Sequence, residues 1–87
     1  MTETIEIRRR RLIHRSLYTG MKETDLLLGR FAARYVPQLA AEQLDRYERL
    51  LAHPDPLIFD WVTGRAPVPA EHDHDVMTLL KNLKTYI

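Results

Sequence analysis

Apolar residues recur along this chain at the three- and four-residue spacing of helices, and no stretch alternates as a half-buried strand requires. The pattern predicts five helices. The first spans about Ile7 to Leu17, with Leu12, Ile13 and Leu17 on or near one face and arginines around the rest. Gly20 can take the left-handed backbone that closes a helix, so a corner is expected at Tyr18-Thr19-Gly20. The second helix runs from about Met21 to Val36: Leu27, Phe31, Arg34 and Tyr35 follow the i, i+4, i+7, i+8 pattern, and Leu28 widens the stripe. Its acids Glu23 and Asp25 fall early and its arginines Arg30 and Arg34 late, as the helix dipole favours. Pro37 disfavours helical geometry at Val36 and ends it.

A third helix is expected from about Ala41 to Ala52, with Leu44, Tyr47, Leu50 and Leu51 inward and Glu42–Arg46 and Asp45–Arg49 as supporting pairs. His53-Pro54 stops it. Asp55 before Pro56 reads as an N-cap followed by proline at the first helical position, opening a fourth helix from about Pro56 to Thr63. That helix buries Leu57, Ile58, Trp61 or Val62 and ends at Gly64. After the stiff loop Arg65-Ala66-Pro67-Val68-Pro69, a fifth helix from about Ala70 to Lys84 carries Val76, Met77, Leu80 and Leu83. Short connections make neighbouring helices pack on each other, so the expected architecture is an all-α, compact single-domain five-helix bundle over residues 1–87, with residues 1–6 as a disordered tail. Internal repeats and low-complexity segments are absent.

Composition narrows the function classes. Eighty-seven residues stand near the lower limit for a core that holds a fold alone, which leaves little room for an enclosed active site. With no cysteine, disulfides, thiolate metal sites and cysteine nucleophiles are excluded, and a reducing compartment is suited. No apolar run approaches a membrane span. The first residues lack a secretory apolar core, and Glu3 and Glu6 are unlike a mitochondrial presequence. A bacterial cytoplasmic protein without membrane insertion is the expectation.

A net charge of +1 conceals an uneven distribution, with Arg8, Arg9, Arg10, Arg11 and Arg15 crowded at one end and Glu71, Asp73 and Asp75 near the other. An arginine-rich helix can neutralise phosphates, so a small nucleic-acid-binding module is the alternative reading. Four consecutive arginines, however, spread around a helix instead of forming one stripe. Residues 20–87 hold 8 Lys and Arg against 10 Asp and Glu, so no wider basic face supports them. In His72-Asp73-His74-Asp75, positions two apart on a helix diverge and cannot chelate one ion together; no metal site is expected. His14 and His53 have no sequence neighbour that would make either a catalytic base, and no catalytic residue is assigned. Tyr18, an aromatic at a turn, reads either as an interface anchor or as packing beneath the corner. Glu23 reads either as an acid suited to the helix dipole or as a carboxylate projecting beside a glycine that lets a partner backbone approach closely.

The segments Arg11-Leu12-Ile13-His14-Arg15-Ser16, Gly20-Met21-Lys22-Glu23-Thr24-Asp25 and Leu26-Leu27-Leu28-Gly29-Arg30-Phe31-Ala32 resemble the SdhE family of FAD assembly factors, whose mitochondrial members are the succinate dehydrogenase assembly factor 2 proteins. The likeness continues through Leu44 to Leu51, Pro54-Asp55-Pro56, Phe59-Asp60-Trp61 and Val76 to Leu80, so it covers nearly the whole chain. It implies a small helical bundle with no stably bound cofactor. Such a protein would bind the flavoprotein subunit of succinate dehydrogenase or fumarate reductase and promote covalent attachment of FAD there, without catalysing the chemistry itself. It further implies a free monomer that binds no nucleic acid. Of the family's Arg-Gly-x-x-Glu motif, Gly20 and Glu23 match, while Thr19 stands at the arginine position and cannot make a guanidinium's planar bidentate contact. The partner-binding surface implied is Tyr18, Thr19, Gly20, Met21, Lys22 and Glu23, with Arg11, His14 and Arg15 behind it.

Overall fold

A computed structural model describes residues 3–17 and 20–83. It holds α1 (Ile5–Leu17), α2 (Lys22–Tyr35), α3 (Ala41–Leu51), α4 (Asp55–Thr63) and α5 (Asp75–Leu83), with 3-10 turns at Val36–Gln38 and Ala70–His72. No strand occurs among the described residues, and the all-α bundle expected from the periodicity is the fold that forms.

α1 starts at Ile5, two residues before its expected start. Thr4 is the cause: its Oγ1 accepts the Ile7 N–H at 3.2 Å and its carbonyl accepts the Arg8 N–H at 2.9 Å. Glu3 in turn receives two hydrogen bonds from Arg11, at 2.8 and 3.0 Å. Ile5 and Glu6, expected in the tail, are therefore helical, and Glu3 and Thr4 stand before the helix held by these contacts. Inside α1, Leu12 is fully buried and Ile13 half-buried, whereas Leu17 is exposed. Ser16 is a buried polar residue outside the apolar pattern. Its hydroxyl donates to the Leu12 carbonyl at 2.7 Å, which leaves it to accept from the Tyr47 hydroxyl at 2.5 Å. Burial pushes the Tyr47 phenol far above its usual pKa, so it stays a neutral donor.

α2 buries Thr24, Leu27, Leu28, Gly29, Phe31 and Ala32 and packs against α1, α4 and α5. A side chain at Gly29 would meet Leu17 at 3.0 Å, so the glycine sets how closely α1 lies on α2. Leu44, Tyr47, Leu50 and Leu51 of α3 all face inward as expected. The supporting pairs Glu42–Arg46 and Asp45–Arg49 do not form. Arg8 takes Asp45 and Glu48 instead, and Arg46 reaches Asp75 at 3.1 Å. Tertiary partners within reach win over neighbours on the same exposed face, where a pair is worth only a few tenths of a kcal/mol.

α4 differs from expectation at its start. Pro54 occupies the cap position, so Asp55 is already helical and its carboxylate is free to act elsewhere. Leu57 is exposed, while Ile58, Trp61 and Val62 are buried; Gly64, at φ 82°, closes the helix in the left-handed region. The single helix expected from Ala70 to Lys84 is broken. Asp73 adopts φ −88°, ψ 77°, and the chain restarts at Asp75 after a fresh cap in which His74 Nδ1 accepts the Met77 N–H at 3.2 Å. Val76, Met77, Leu80 and Leu83 of α5 face the core as expected, and Lys84 lies outside the described residues. Phe31 stands at the centre, its ring 5.3 Å from Tyr35 and 5.0 Å from Tyr47.

The Ser16–Tyr47 pair generates an asymmetric prediction. Ser16→Ala strands a buried phenol and should cost about 1–3 kcal/mol, whereas Tyr47→Phe removes the phenol itself and should cost about 1 kcal/mol. Urea denaturation of both variants measures the difference; equal costs would mean that the hydroxyl pair is not what these residues contribute.

Candidate functional site

The corner between α1 and α2 is made by Gly20, whose φ of 111° lies where side-chain-bearing residues are strained. Met21 follows in extended geometry, and α2 begins at Lys22 without a side-chain N-cap. Asp55 fills the gap from across the molecule. Its Oδ2 accepts the Met21 N–H at 3.3 Å, and the same oxygen would lie 3.3 Å from a Cβ placed on Gly20. The start of α4 thus braces the start of α2, with Asp55 so close to the backbone that a Cβ at residue 20 would crowd its carboxylate. Behind the corner Thr24 is buried, its hydroxyl 3.9 Å from the Met21 sulfur.

Outward from this brace project Lys22 and Glu23, both exposed. Among the described residues Glu23 makes no hydrogen bond or ion pair. It borders a groove of about 350 Å³ lined by Met21, Glu23, Pro56, Phe59, Asp60 and Arg65. Arg65 lies over the Phe59 ring at 5.8 Å, so the groove joins an aromatic floor to one cationic and two acidic side chains. Periodicity could not place Pro56, Phe59, Asp60 and Arg65 here. Only the fold brings α4 beside a corner more than thirty residues earlier.

The remaining sequence-assigned residues divide. Gly20, Met21, Lys22 and Glu23 form one continuous surface, and His14 is exposed on α1. Arg11 and Arg15 are committed within the molecule: Arg11 binds Glu3 and Glu48, and Arg15 donates to the Leu51 carbonyl at 2.5 Å. Tyr18 and Thr19 lie outside the described residues. The rest of the arginine run is similarly occupied. Arg8 clamps Asp45 and Glu48, and Arg9 donates to the Leu39 carbonyl at 2.7 Å. Four of the five arginines therefore fasten α1 to its neighbours, mainly α3, which weakens the nucleic-acid reading at its source.

A second cluster was not foreseen. His53, at the end of α3, and His72, in the turn before α5, face each other with Nε2 atoms 2.9 Å apart. Trp61 packs on both rings, 5.2 Å from His53 and 5.3 Å from His72. His72 is buried, and its pKa is held below the ordinary histidine value, first by that burial and then by His53 nearby. His74 is likewise depressed by burial.

The fold and the corner define a class: a small helical body whose most evident constructed surface is a braced, charge-bearing edge suited to engaging another macromolecule. Within that class, residues 10–84 match the Sdh5 family, described as flavinator of succinate dehydrogenase, and the chain belongs to that family. It is 42% identical over 78 residues to succinate dehydrogenase assembly factor 2, mitochondrial, of Dictyostelium discoideum, covering 90% of this chain and 55% of that protein. It is 42% identical over 82 residues to the 2-B form of Drosophila ananassae, covering 92% of this chain and 50% of that protein. The chain spans about half the length of these curated relatives. No helix among the described residues is long and apolar enough to cross a membrane.

Two outcomes follow from this geometry. Gly20→Ala should cost about 1–3 kcal/mol through backbone strain and crowding of Asp55. Gly64→Ala, with open space around it, should cost only the left-handed term of about 1–2 kcal/mol; denaturant midpoints of the two variants give the comparison. Secondly, the depressed pKa of His72 means that the unfolded chain takes up protons first. Stability should be complete above the unfolded histidine value of about 6.5 and decline as pH falls from there through the folded value. Carboxylates held low, such as Asp75 beside Gln43 and Arg46, act only below about pH 4. Urea midpoints at pH 7.5 and 5.5 measure the histidine contribution; His72→Gln should reduce the slope, and His74, also held low by burial, supplies the remainder.

Proposed function

We propose that the corner Gly20-Met21-Lys22-Glu23 docks on the flavoprotein subunit of succinate dehydrogenase or fumarate reductase and favours covalent attachment of FAD to it. The observation that carries this reading is Glu23, exposed on a braced corner and without a partner among the described residues. A carboxylate held there avoids the loss of an internal ion pair on docking, and its rigid mounting limits the entropy lost when a partner binds. The groove beside it supplies Phe59 as an apolar contact and Arg65 and Asp60 as polar ones.

The proposed role is that of a chaperone without catalytic residues of its own. Among its described residues the corner offers charges and an aromatic ring, with no nucleophile held by a base. Flavin attachment needs the acceptor histidine of the flavoprotein held against the 8α-methyl carbon of the flavin. A docked partner helps by binding that arrangement more tightly than others, and its effect equals that difference in affinity. Positioning of this kind is worth several kcal/mol in favourable cases. Thr19 in the motif's arginine position removes one bidentate contact, so docking rests more heavily on Glu23 and the groove. The cysteine-free composition suits a reducing compartment, and we place the protein in the cytoplasm, acting as a monomer that holds no FAD by itself.

The test mixes the protein with a purified apo-flavoprotein subunit, FAD and a dicarboxylate, and follows covalent flavin as fluorescence in a denaturing gel. Addition of the protein should raise the rate. Glu23→Ala should weaken flavoprotein binding about 30-fold, the size of a truncated hot spot. Its folding stability should stay within about 0.5 kcal/mol of the parent. A parent protein without effect on a competent subunit would overturn the reading.

A further inference from the structure

We infer that His53, His72 and Glu71 form a binding site for a single divalent transition-metal cation of the Zn²⁺ class. This inference is independent of the docking corner. His53 is half-buried, His72 is buried and Glu71 is exposed, and one ligand atom from each lies within 4.8 Å of the others. Two imidazoles and a carboxylate are a donor set that borderline cations favour, with room for water at a further position.

The ring orientations carry the argument. Both histidines present Nε2 to the same point, 2.9 Å apart, and Glu71 Oε1 lies 3.8 Å from His72 Nε2. At a metal–nitrogen length of about 2.05 Å, nitrogens at that separation subtend about 90° at the ion, and opening them by about 0.4 Å reaches the tetrahedral angle. Glu71 must move further, since the three ligand atoms span up to 4.8 Å, and a long exposed side chain has the torsional freedom for that. In the neutral pair one Nε2 donates its hydrogen to the other, so only one of the two lone pairs is used. A cation takes both Nε2 lone pairs at once, with each ring then carrying its hydrogen on Nδ1. Trp61 closes one side of the two rings and holds them in place. The ion would join the end of α3 to the turn before α5.

Trp61 is the chain's single tryptophan, so its fluorescence reports on this cluster alone. Tag-free full-length protein should bind Zn²⁺ one-to-one by calorimetry, with a rise in melting temperature. Stoichiometric Cu²⁺ should quench Trp61, and a large excess of Zn²⁺ added beforehand should raise the Cu²⁺ concentration needed for quenching; Mg²⁺, a hard cation, should not. Removing a merely supporting group at a metal site costs about 10–100-fold, so His53→Gln should weaken binding by at least about tenfold, and Glu71→Gln by less. Both positions lie outside the closed core, and circular dichroism verifies that the variants fold. Absence of saturable binding in the micromolar range would overturn the assignment, as would binding that survives His53→Gln but is lost in a His14→Gln/His74→Gln double variant.

Discussion

The molecule turns on a contact between residues 34 apart in sequence: the Asp55 carboxylate accepting the Met21 N–H. α2 begins without a side-chain cap of its own, so the first turn of the helix that carries Glu23 relies on a donor–acceptor pair made across the fold. For that pair to form, α4 must sit against the start of α2, which the burial of Ile58, Trp61 and Val62 enforces. For the chain to reach Met21 beside Asp55, residue 20 must accept φ of 111°, and a side chain there would also crowd Asp55. Packing, backbone conformation and one hydrogen bond therefore specify the same corner, and none of them alone would hold it.

The arginine run complements this arrangement. A chain this small buries limited apolar surface, and its first helix has only Leu12 fully buried from its apolar face. Arg8, Arg9, Arg11 and Arg15 supplement that weak seam with contacts to carboxylates and to the carbonyls of Leu39 and Leu51. Individually such partly exposed pairs contribute at most about 1 kcal/mol. Together they fix how α1 lies along α3. They also account for a basic helix in a molecule whose charge elsewhere is balanced.

What could be read from the sequence was whatever depends on local period. The inward residues of α3 and α5 obey three-and-four spacing and were legible without coordinates, as were Gly20 as a helix-ending bend and Gly64 as a stop. Contacts between distant residues were not legible. Asp55 resembles an N-cap locally, yet the helix begins one residue earlier and the side chain serves the corner instead. The helix expected to start at Ala70 breaks because His74 offers a better cap than continuing helix geometry does, a competition invisible in the apolar pattern. His53 and His72 lack neighbours in sequence and acquire each other only when α3 and the turn before α5 pack around Trp61. Half of the candidate site, Gly20 to Glu23, lay in one segment and was readable; the groove residues from α4 were not.

The distribution of committed and uncommitted charge then bears on where recognition happens. A partner that recruits Arg8 or Arg11 must first displace Asp45, Glu3 or Glu48, so the gain of a new ion pair is offset by the loss of an old one. Glu23 carries no such offset among the described residues, and its desolvation is the main opposing term. The same asymmetry supports the proposed protein partner over a nucleic acid. Phosphates would have to compete for arginines already bound, whereas a cationic or hydrogen-bond-donating protein surface meets an available carboxylate beside an aromatic groove. On the proposed reading, specificity in this small bundle follows from which charges the fold has left unpaired, and the brace at Asp55 decides where the exposed Glu23 stands.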